Sequence, residues 1–513
     1  MRAKNVAKNS FFSVFSQLLI ILAGFFSQRV INLRLGTELV GLNGVISNVI
    51  MVFSVSELGI STAVVFHLYK ALAQEDENKI AGLMNLYRRA YYVVAGVIAV
   101  LGLSFLPFIH LLMRDNHFSA WFIRLVYGLW LVRSVLGYIL SYKRSILIAD
   151  QKEYVNTLAA MAVSIFNYMS VIVLVLLFDD YVLALLLGII FEVITNLFLI
   201  RFVDQHYPYL KRNRNLRLDG ESRSRIFGDI KNLFITRVAQ KILGSTDNLI
   251  MSGFISLSIV GFYSNYCLIT QSLINIMQAL SGALQPTIGN LAVENNRERD
   301  EELLQSITFV FFLLSSVIMC GVAGMATVFV SDIWLGKDFS LSAGIVFLCA
   351  MNCMFYIMLL PIGMFTSVSG LFWQEKWVSL FAAVLNLLLS LLLVAKLEIT
   401  GVLIGTTSAY FVLGVGKTYF YYRDFLGRKM GGYLKCIAGY LLLSSAEALG
   451  VQKLVHLIYG EGNPGRFILS GAVCVLLPLG VNLLLFIRSH LLRQTIEFIK
   501  SYKKLSKKGH EEV

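Results

Sequence analysis

The chain has 513 residues, of which 57% are hydrophobic, 12% aromatic and only 15% charged, and its mean hydropathy is +0.72. A soluble chain carries about 25% charged residues, and apolar surface on this scale cannot be hidden inside a water-soluble particle of this length. A soluble enzyme, a nucleic-acid-binding domain and a disordered chain are excluded; a lipid-embedded protein remains.

Apolar runs separated by charged residues predict helices near 10–35, 40–69, 86–113, 118–142, 155–178, 181–201, 231–256, 259–290, 303–331, 341–371, 377–395, 401–422, 433–451 and 467–487. The runs are long and continuous, whereas barrel strands would alternate over segments of about ten residues. About 14 spans of about 20 residues fit the apolar content. The first run, 10–35, is too long for a secretory signal core and is expected to stay as a span. The expected fold is therefore an all-α polytopic membrane protein. Two six-helix lobes (1–203 and 231–424) around a central cavity would be joined by a basic linker, 204–230, and followed by two added helices and a basic tail, 425–513.

The +13 net charge follows topology. Loops on the side of the two termini hold 32 Lys and Arg residues; the opposite loops hold six, and six more lie within spans. Such a bias places the richer side in the cytoplasm. Both termini and the largest loop, with its KRNRNLRLDGESRSR segment, are expected there. The halves also echo each other. Val40-Gly41 and Val260-Gly261 stand 220 positions apart, each leading into a long helix with polar residues along one side, as in transporters built from repeats.

Regularly spaced amides have no use in lipid and mark helices that face something wet. Gln271, Asn275, Gln278, Gly282 and Gln285 form one face of the eighth predicted helix. Asn232, Thr236, Gln240, Gly244 and Asn248 repeat every four residues in the seventh. The second carries Asn43, Ser47, Ser54, Glu57 and Ser61, and the first carries Ser13, Gln17, Gly24 and Gln28. These are the first two helices of each half, which points to a shared cavity; amides bridging packed helices are the alternative.

Arg237 and Lys241 are four apart, on one face, about 9 and 15 Å into the seventh helix at about 1.5 Å per residue. Asp247 is the nearest acid there, at an imperfect angle for both. Arg133 lies near the middle of the fourth helix, and Arg29 and Arg124 lie closer to the outer interface, where snorkelling could account for them. Glu57 and Glu192 are either structural partners of these cations or ion-coupling sites, a role also open to Asp247. The cavity wall is cationic on balance, so its client should be an anion.

Other chemistry is missing. Gly414-Val415-Gly416-Lys417-Thr418 looks like the end of a phosphate-binding loop, but Phe411 occupies the earlier glycine position and the segment lies in an apolar helix. The histidines are scattered singly. All six cysteines fall in apolar stretches; Cys349 and Cys353 share a helix face without a His or carboxylate nearby. No metal, cofactor or nucleophile constellation is implied.

Several segments carry a family resemblance. NVAKNSFFSVFSQ at the start, QRVINLRLGTELVGLNGVISNV, SELGISTAV with HLYKALAQED after it, and DNLIMSGFISLSIVGFYSNY in the second half resemble the polysaccharide-transporter family of bacterial flippases, within the multidrug/oligosaccharidyl-lipid/polysaccharide exporter superfamily. The resemblance runs in order over nearly the whole chain. It implies a 14-helix inner-membrane protein in two lobes, moving an undecaprenyl-pyrophosphate-linked oligosaccharide from inner to outer leaflet. Membrane lipids and polysaccharide-assembly proteins would be its partners, and nucleic acid would not. In the related lipid II flippases, arginines of the first helix contribute to the cavity, and Arg29 lies in the matching segment. Arg133, Arg237 and Lys241 would hold the pyrophosphate, and the amide faces would meet the sugars. A cation-coupled drug exporter is the alternative, although its cavity would need net negative charge. A membrane polymerase or glycosyltransferase would need a large outer loop or an acidic catalytic loop, and neither is seen.

Overall fold

The computed structural model describes residues 2–54, 60–113, 117–150, 152–213, 246–292, 297–460 and 463–495, with isolated positions between 216 and 244. The described residues are helical throughout, with no strand. Ten of their helices are long and apolar enough to cross a membrane. Large apolar side chains stand outward on them, Leu457 at 77% and Leu484 at 72% exposure. That much bare leucine needs lipid around it.

The chain divides into two compact units, Met1–Gly261 and Phe262–Val513. The first contains α1 (Arg2–Leu35), α2 (Thr37–Phe53), α3 (Ile60–Ala73), α4 (Glu77–Phe105), α5 (Ala120–Ser141), α6 (Arg144–Ala149), α7 (Glu153–Phe178), α8 (Tyr181–His206) and α9 (Pro208–Arg212). α10 (Leu257–Ala292) begins at its end and runs into the second unit. The second unit continues with α11 (Arg297–Val328), α12 (Ala343–Val368), α13 (Phe372–Phe420), α14 (Gly431–Tyr459) and α15 (Pro464–Phe486).

Local chemistry sets the helix ends. Asp76, Ser119 and Asp180 each accept a bond from the backbone N–H three residues on, at 2.9, 3.2 and 2.9 Å, satisfying donors that the first turn leaves open. Gly36 joins α1 to α2 at φ +87°, a left-handed conformation that favours glycine. The 49 residues of α13 are two spans, because Glu398 at φ +49° breaks the helix, matching the predicted pair 377–395 and 401–422. Its arms close tightly: a Cβ at Gly401 would lie 2.6 Å from the Leu393 carbonyl carbon, and buried Asn386 donates to Thr406 Oγ1 at 3.0 Å. Over the single helix expected at 40–69 the described residues form α2, ending at Phe53, and α3, from Ile60; residues 55–59 lie outside the described residues. Ser54, past the end of α2, turns its hydroxyl back to the Met51 carbonyl at 2.8 Å, a local bond that competes with continued helix.

In the first unit α1 packs along α7, α7 on α8, and α5 between α4 and α8. In the second unit α11 is the central post, contacting α12, α14 and α15, and 67% of its most apolar stretch is buried. It is accordingly rich in phenylalanine and small residues, with Phe309, Phe311 and Phe312 fully buried.

The start of α2 meets the start of α10. A Cβ at Gly41 would lie 2.2 Å from the Leu257 carbonyl oxygen, and one at Gly261 would lie 2.1 Å from that of Thr37. Ser258 donates to Glu38 Oε1 at 3.3 Å. The pairs 38/258 and 41/261 keep the 220-residue offset of the sequence echo, and two glycines let the backbones approach this closely.

Basic residues frame the helix ends with aromatic rings. Lys376 Nζ sits 3.6 Å above Trp373 and 4.8 Å above Trp377, and Arg423 lies over Tyr419 and Phe420 at 4.9 and 5.0 Å. Lys376 lies in the first turn of α13 and Arg423 just past its end, and cations beside aromatic rings at helix ends are the pattern of a membrane–water interface. Arg428 clamps Glu298 and Glu301 at 2.7 Å each.

Candidate functional site

The first unit holds an open cavity of about 690 Å³ that carries several polar and charged side chains in a largely apolar wall. Each bordering helix gives one face to it. α5 contributes Trp130, Arg133, Ser134, Gly137, Tyr138 and Ser141, and α8 contributes Tyr181, Ala184, Leu185, Glu192 and Asn196. The steps of three, four and seven residues are those of one helical stripe. α1 adds Ser27, α2 adds Asn43, and α7 adds Ser164, Asn167 and Tyr168. Gly137 keeps room beside the acid: a Cβ there would approach Glu192 Oε1 to 3.9 Å.

Among the described residues three charged side chains line this space, Arg133, Arg144 and Glu192. Arg133 Nε donates to Glu192 Oε2 at 2.7 Å, and both side chains keep about a quarter of their surface open, 25% and 23%. The Arg133 guanidinium also lies 5.6 Å from the Trp130 ring centre. Arg144 stands just past the end of α5 and donates from Nη2 to Asn196 Oδ1 at 2.6 Å. Asn196 is held in turn by its Nδ2 bond to the Glu192 carbonyl at 3.0 Å. Burial pushes the Arg144 guanidinium below its ordinary value, and the nearby Glu192 charge opposes that shift. An arginine so displaced stays cationic at neutral pH.

Two guanidiniums against one carboxylate leave the lining with one excess positive charge. Arg144 Nε is buried without a hydrogen-bond partner. A buried donor in that condition costs free energy unless something accepts its hydrogen. Tyr181 completes the polar wall, its hydroxyl donating to Asn43 Oδ1 at 2.8 Å. The arrangement can receive an anion with several oxygen acceptors, since a guanidinium forks its donors towards carboxylate or phosphate geometry.

The other candidates divide by unit. Arg29 is exposed on α1 and is not among the residues lining this cavity. Lys241 and Asp247 are half-buried, while Arg237, Gln240 and Glu57 lie outside the described residues. In the second unit the amide face of α10 is largely open, with Gln271, Gln278 and Gln285 exposed and Asn275 half-buried. Gln271 donates to Asn275 Oδ1 at 2.9 Å, Gln278 to the Tyr356 hydroxyl at 2.5 Å and Gln285 to Ser367 Oγ at 3.5 Å. The face is therefore polar and open in part, and braced against α12. Lys417 of the phosphate-loop look-alike sits inside α13 and pairs with Glu375, both nearly buried at 11% and 10% exposure, so it is occupied. Among the described residues no group of three His, Cys, Asp or Glu side chains could hold a metal.

Sequence reasoning singled out Arg133, Glu192 and Asn43 without joining them in one site, and it passed over Arg144 and Asn196. The signal was present. Arg133, Gly137, Ser141 and Arg144 continue one stripe at steps of four, four and three, and Glu192 and Asn196 are four apart. Counting Arg144 as a loop residue hid it.

Several solved structures share the fold. Lipid II flippase MurJ in an inward closed conformation matches with a TM-score of 0.68 at 14% identity, over 94% of this chain and 99% of that one. A multidrug resistance MATE family transporter of the MOP superfamily matches in its inward-facing conformation with a TM-score of 0.61 at 15% identity, over 81% of this chain and 98% of that one. An outward-facing conformation of a MATE family transporter matches with a TM-score of 0.58 at 16% identity, over 82% and 95%. No family model matches the chain, and no curated protein matches it by sequence. The likeness is one of fold.

Proposed function

We propose that the protein is a flippase of the bacterial inner membrane. It would move a saccharide carried on undecaprenyl pyrophosphate from the inner to the outer leaflet by alternating access, with both termini in the cytoplasm. The observation that carries this reading is the excess positive charge of the Arg133–Glu192–Arg144 cavity, with Arg144 Nε unpartnered in its wall. A pyrophosphate supplies both the negative charge and the acceptors that such a wall lacks. Arg133 and Arg144 would bind it from the first unit, with Arg237, Lys241 and Arg29 as further cations. The amides Gln240, Gln271, Asn275, Gln278 and Gln285 would meet sugar hydroxyls, and Glu57 and Asp247 would be ion-coupling groups. The fold shared with a lipid II flippase and with MATE transporters supports transport by two moving units.

Export of organic cations is the second reading, favoured by the MATE likeness alone. The one acid among the cavity's described residues already pairs with Arg133, and their excess positive charge would repel a cation. Binding to purified protein separates the two. A fluorescent prenyl-pyrophosphate oligosaccharide should bind and be competed by inorganic pyrophosphate, and an organic cation should not. Charge-assisted bonds contribute about 1.5–3 kcal/mol each, so Arg144→Gln should weaken binding by about 10–100-fold while the protein still inserts. Unchanged affinity in Arg133→Gln/Arg144→Gln, or tighter binding of cationic dyes than of the glycolipid, would refute the reading.

A further inference from the structure

Glu447 lies near the middle of the 29-residue α14 and is only 7% exposed. No cation pairs with it among the described residues. Two neighbours approach it from the helices packed against α14. Ser316 of α11 donates to Glu447 Oε2 at 2.5 Å. Asn482 of α15 donates from Nδ2 to the same oxygen at 3.3 Å, and to Ser316 Oγ at 3.1 Å. Glu447 Oε1 is buried with no partner, and so is Asn482 Oδ1. Ser316 and Asn482 are themselves fully buried.

The two carboxyl oxygens are thus chemically unlike. One collects both donors and the other collects none, which is the pattern of a carboxylic acid with a carbonyl oxygen at Oε2 and a hydroxyl at Oε1. An ionised carboxylate here would be a lone charge at membrane depth. The titratable group that faces it is a thiol, Cys320, one turn beyond Ser316 on α11, with Cys474 of α15 beside that thiol. No lysine, arginine or histidine does so from α11, α14 or α15. Burial without a counter-charge favours the protonated form, whereas the two donors favour the ionised one; donors that point hydrogen at the carboxyl are unsuited to binding a metal cation.

We propose that Glu447, Ser316 and Asn482 form a proton-binding site in the second unit, and that its proton couples transport to the proton gradient. Release would break the Oε1–H bond, leave the electron pair on the carboxylate and pass the proton to water. Ser316 and Asn482, already aimed at Oε2, would then steady the charge. The coupling role rests on the transporter reading above; the site itself does not.

The experiment uses the full-length protein in lipid vesicles and has two arms. Infrared difference spectroscopy follows the C=O band of protonated carboxyl groups as pH is varied. One band should appear on acidification and be missing in Glu447→Gln, and Ser316→Ala should move its midpoint even if the glutamine variant accumulates poorly. A band insensitive to pH, or one that answers to sodium at fixed pH, overturns the site. The second arm measures translocation of a fluorescent prenyl-pyrophosphate saccharide with and without an imposed pH gradient. Wild type should respond to the gradient, and Glu447→Gln should lose that response. Equal responses overturn the coupling role. A wild type that translocates nothing while its band still titrates would instead refute the flippase reading and leave the proton site standing.

Discussion

Replacing Gly41 by alanine should force two helices apart. The added Cβ would lie 2.2 Å from the Leu257 carbonyl oxygen and 3.1 Å from the Gly261 backbone nitrogen, where ordinary contact begins at 3.4 Å. The shortfall is about 1.2 Å against a backbone atom, which cannot swing aside as a side-chain end can. Overpacking of this kind costs about 1–3 kcal/mol. Gly261→Ala meets the Thr37 carbonyl oxygen at 2.1 Å and should cost a similar amount. The two losses should not add. Once either methyl group has spread the backbones, room exists for the other, so the double variant should lose distinctly less than the sum of the singles. Unfolding of detergent-solubilised protein, followed by intrinsic fluorescence against denaturant or temperature, measures all three. Wild-type stability in Gly41→Ala, or full additivity in the pair, would refute the close approach.

The Lys417–Glu375 pair is nearly buried, so Lys417→Met should strand the carboxylate and cost on the order of 3 kcal/mol; adding Glu375→Leu should recover most of it in the same unfolding assay. At Gly188 a Cβ would fall 1.9 Å from Asn167 Oδ1, the far end of a side chain whose amide donates to the Val163 carbonyl at 2.8 Å. Gly188→Ala should therefore cost about 1 kcal/mol, and Asn167→Ser in the same chain should restore the unfolding midpoint. If, as the charge asymmetry of the loops implies, 204–230 faces the cytoplasm, a cysteine introduced by Ser222→Cys should resist impermeant thiol reagents in intact cells and react after permeabilisation.

The spans were legible because charge and hydrophobicity separate along this chain almost without exception. A run such as 155–178 has no plausible place outside lipid, and α7 covers Glu153–Phe178. The break in α13 was legible too, since Lys396 and Glu398 interrupt the apolar run just before Gly401. The end of α2 at Phe53 was not: neither proline nor a charge precedes it, and Ser54 could equally have been one more residue of a polar stripe. Stripes reveal a face, never its partner. Hence Arg133 was legible as an oddity, whereas its pairing with Glu192, 59 positions away, needed the fold. Glu447 was harder still. Its partners Ser316 and Asn482 come singly from two other helices, and single polar residues have no period to detect.

Buried charge is handled in three ways here, and the differences bear on function. Lys417 and Glu375 neutralise each other in a nearly closed contact, where neither has capacity left for a client. Such a pair fixes helices and does little else. Glu447 has hydrogen-bond donors but, among the described residues, no counter-charge, so its simplest neutral form carries a proton. The N-terminal cavity has the remaining combination: two cations, one acid, a donor without an acceptor, and about 690 Å³ of space. An imbalance of charge in an open volume is wasteful if the site only holds helices together, because any aliphatic filling would pack better without desolvating a guanidinium. It makes sense if the missing acceptor arrives with the substrate. On that logic, Arg144→Met should leave the protein as stable as wild type or more so while removing anion binding. A matched loss of stability and binding would show that Arg144 only braces α8.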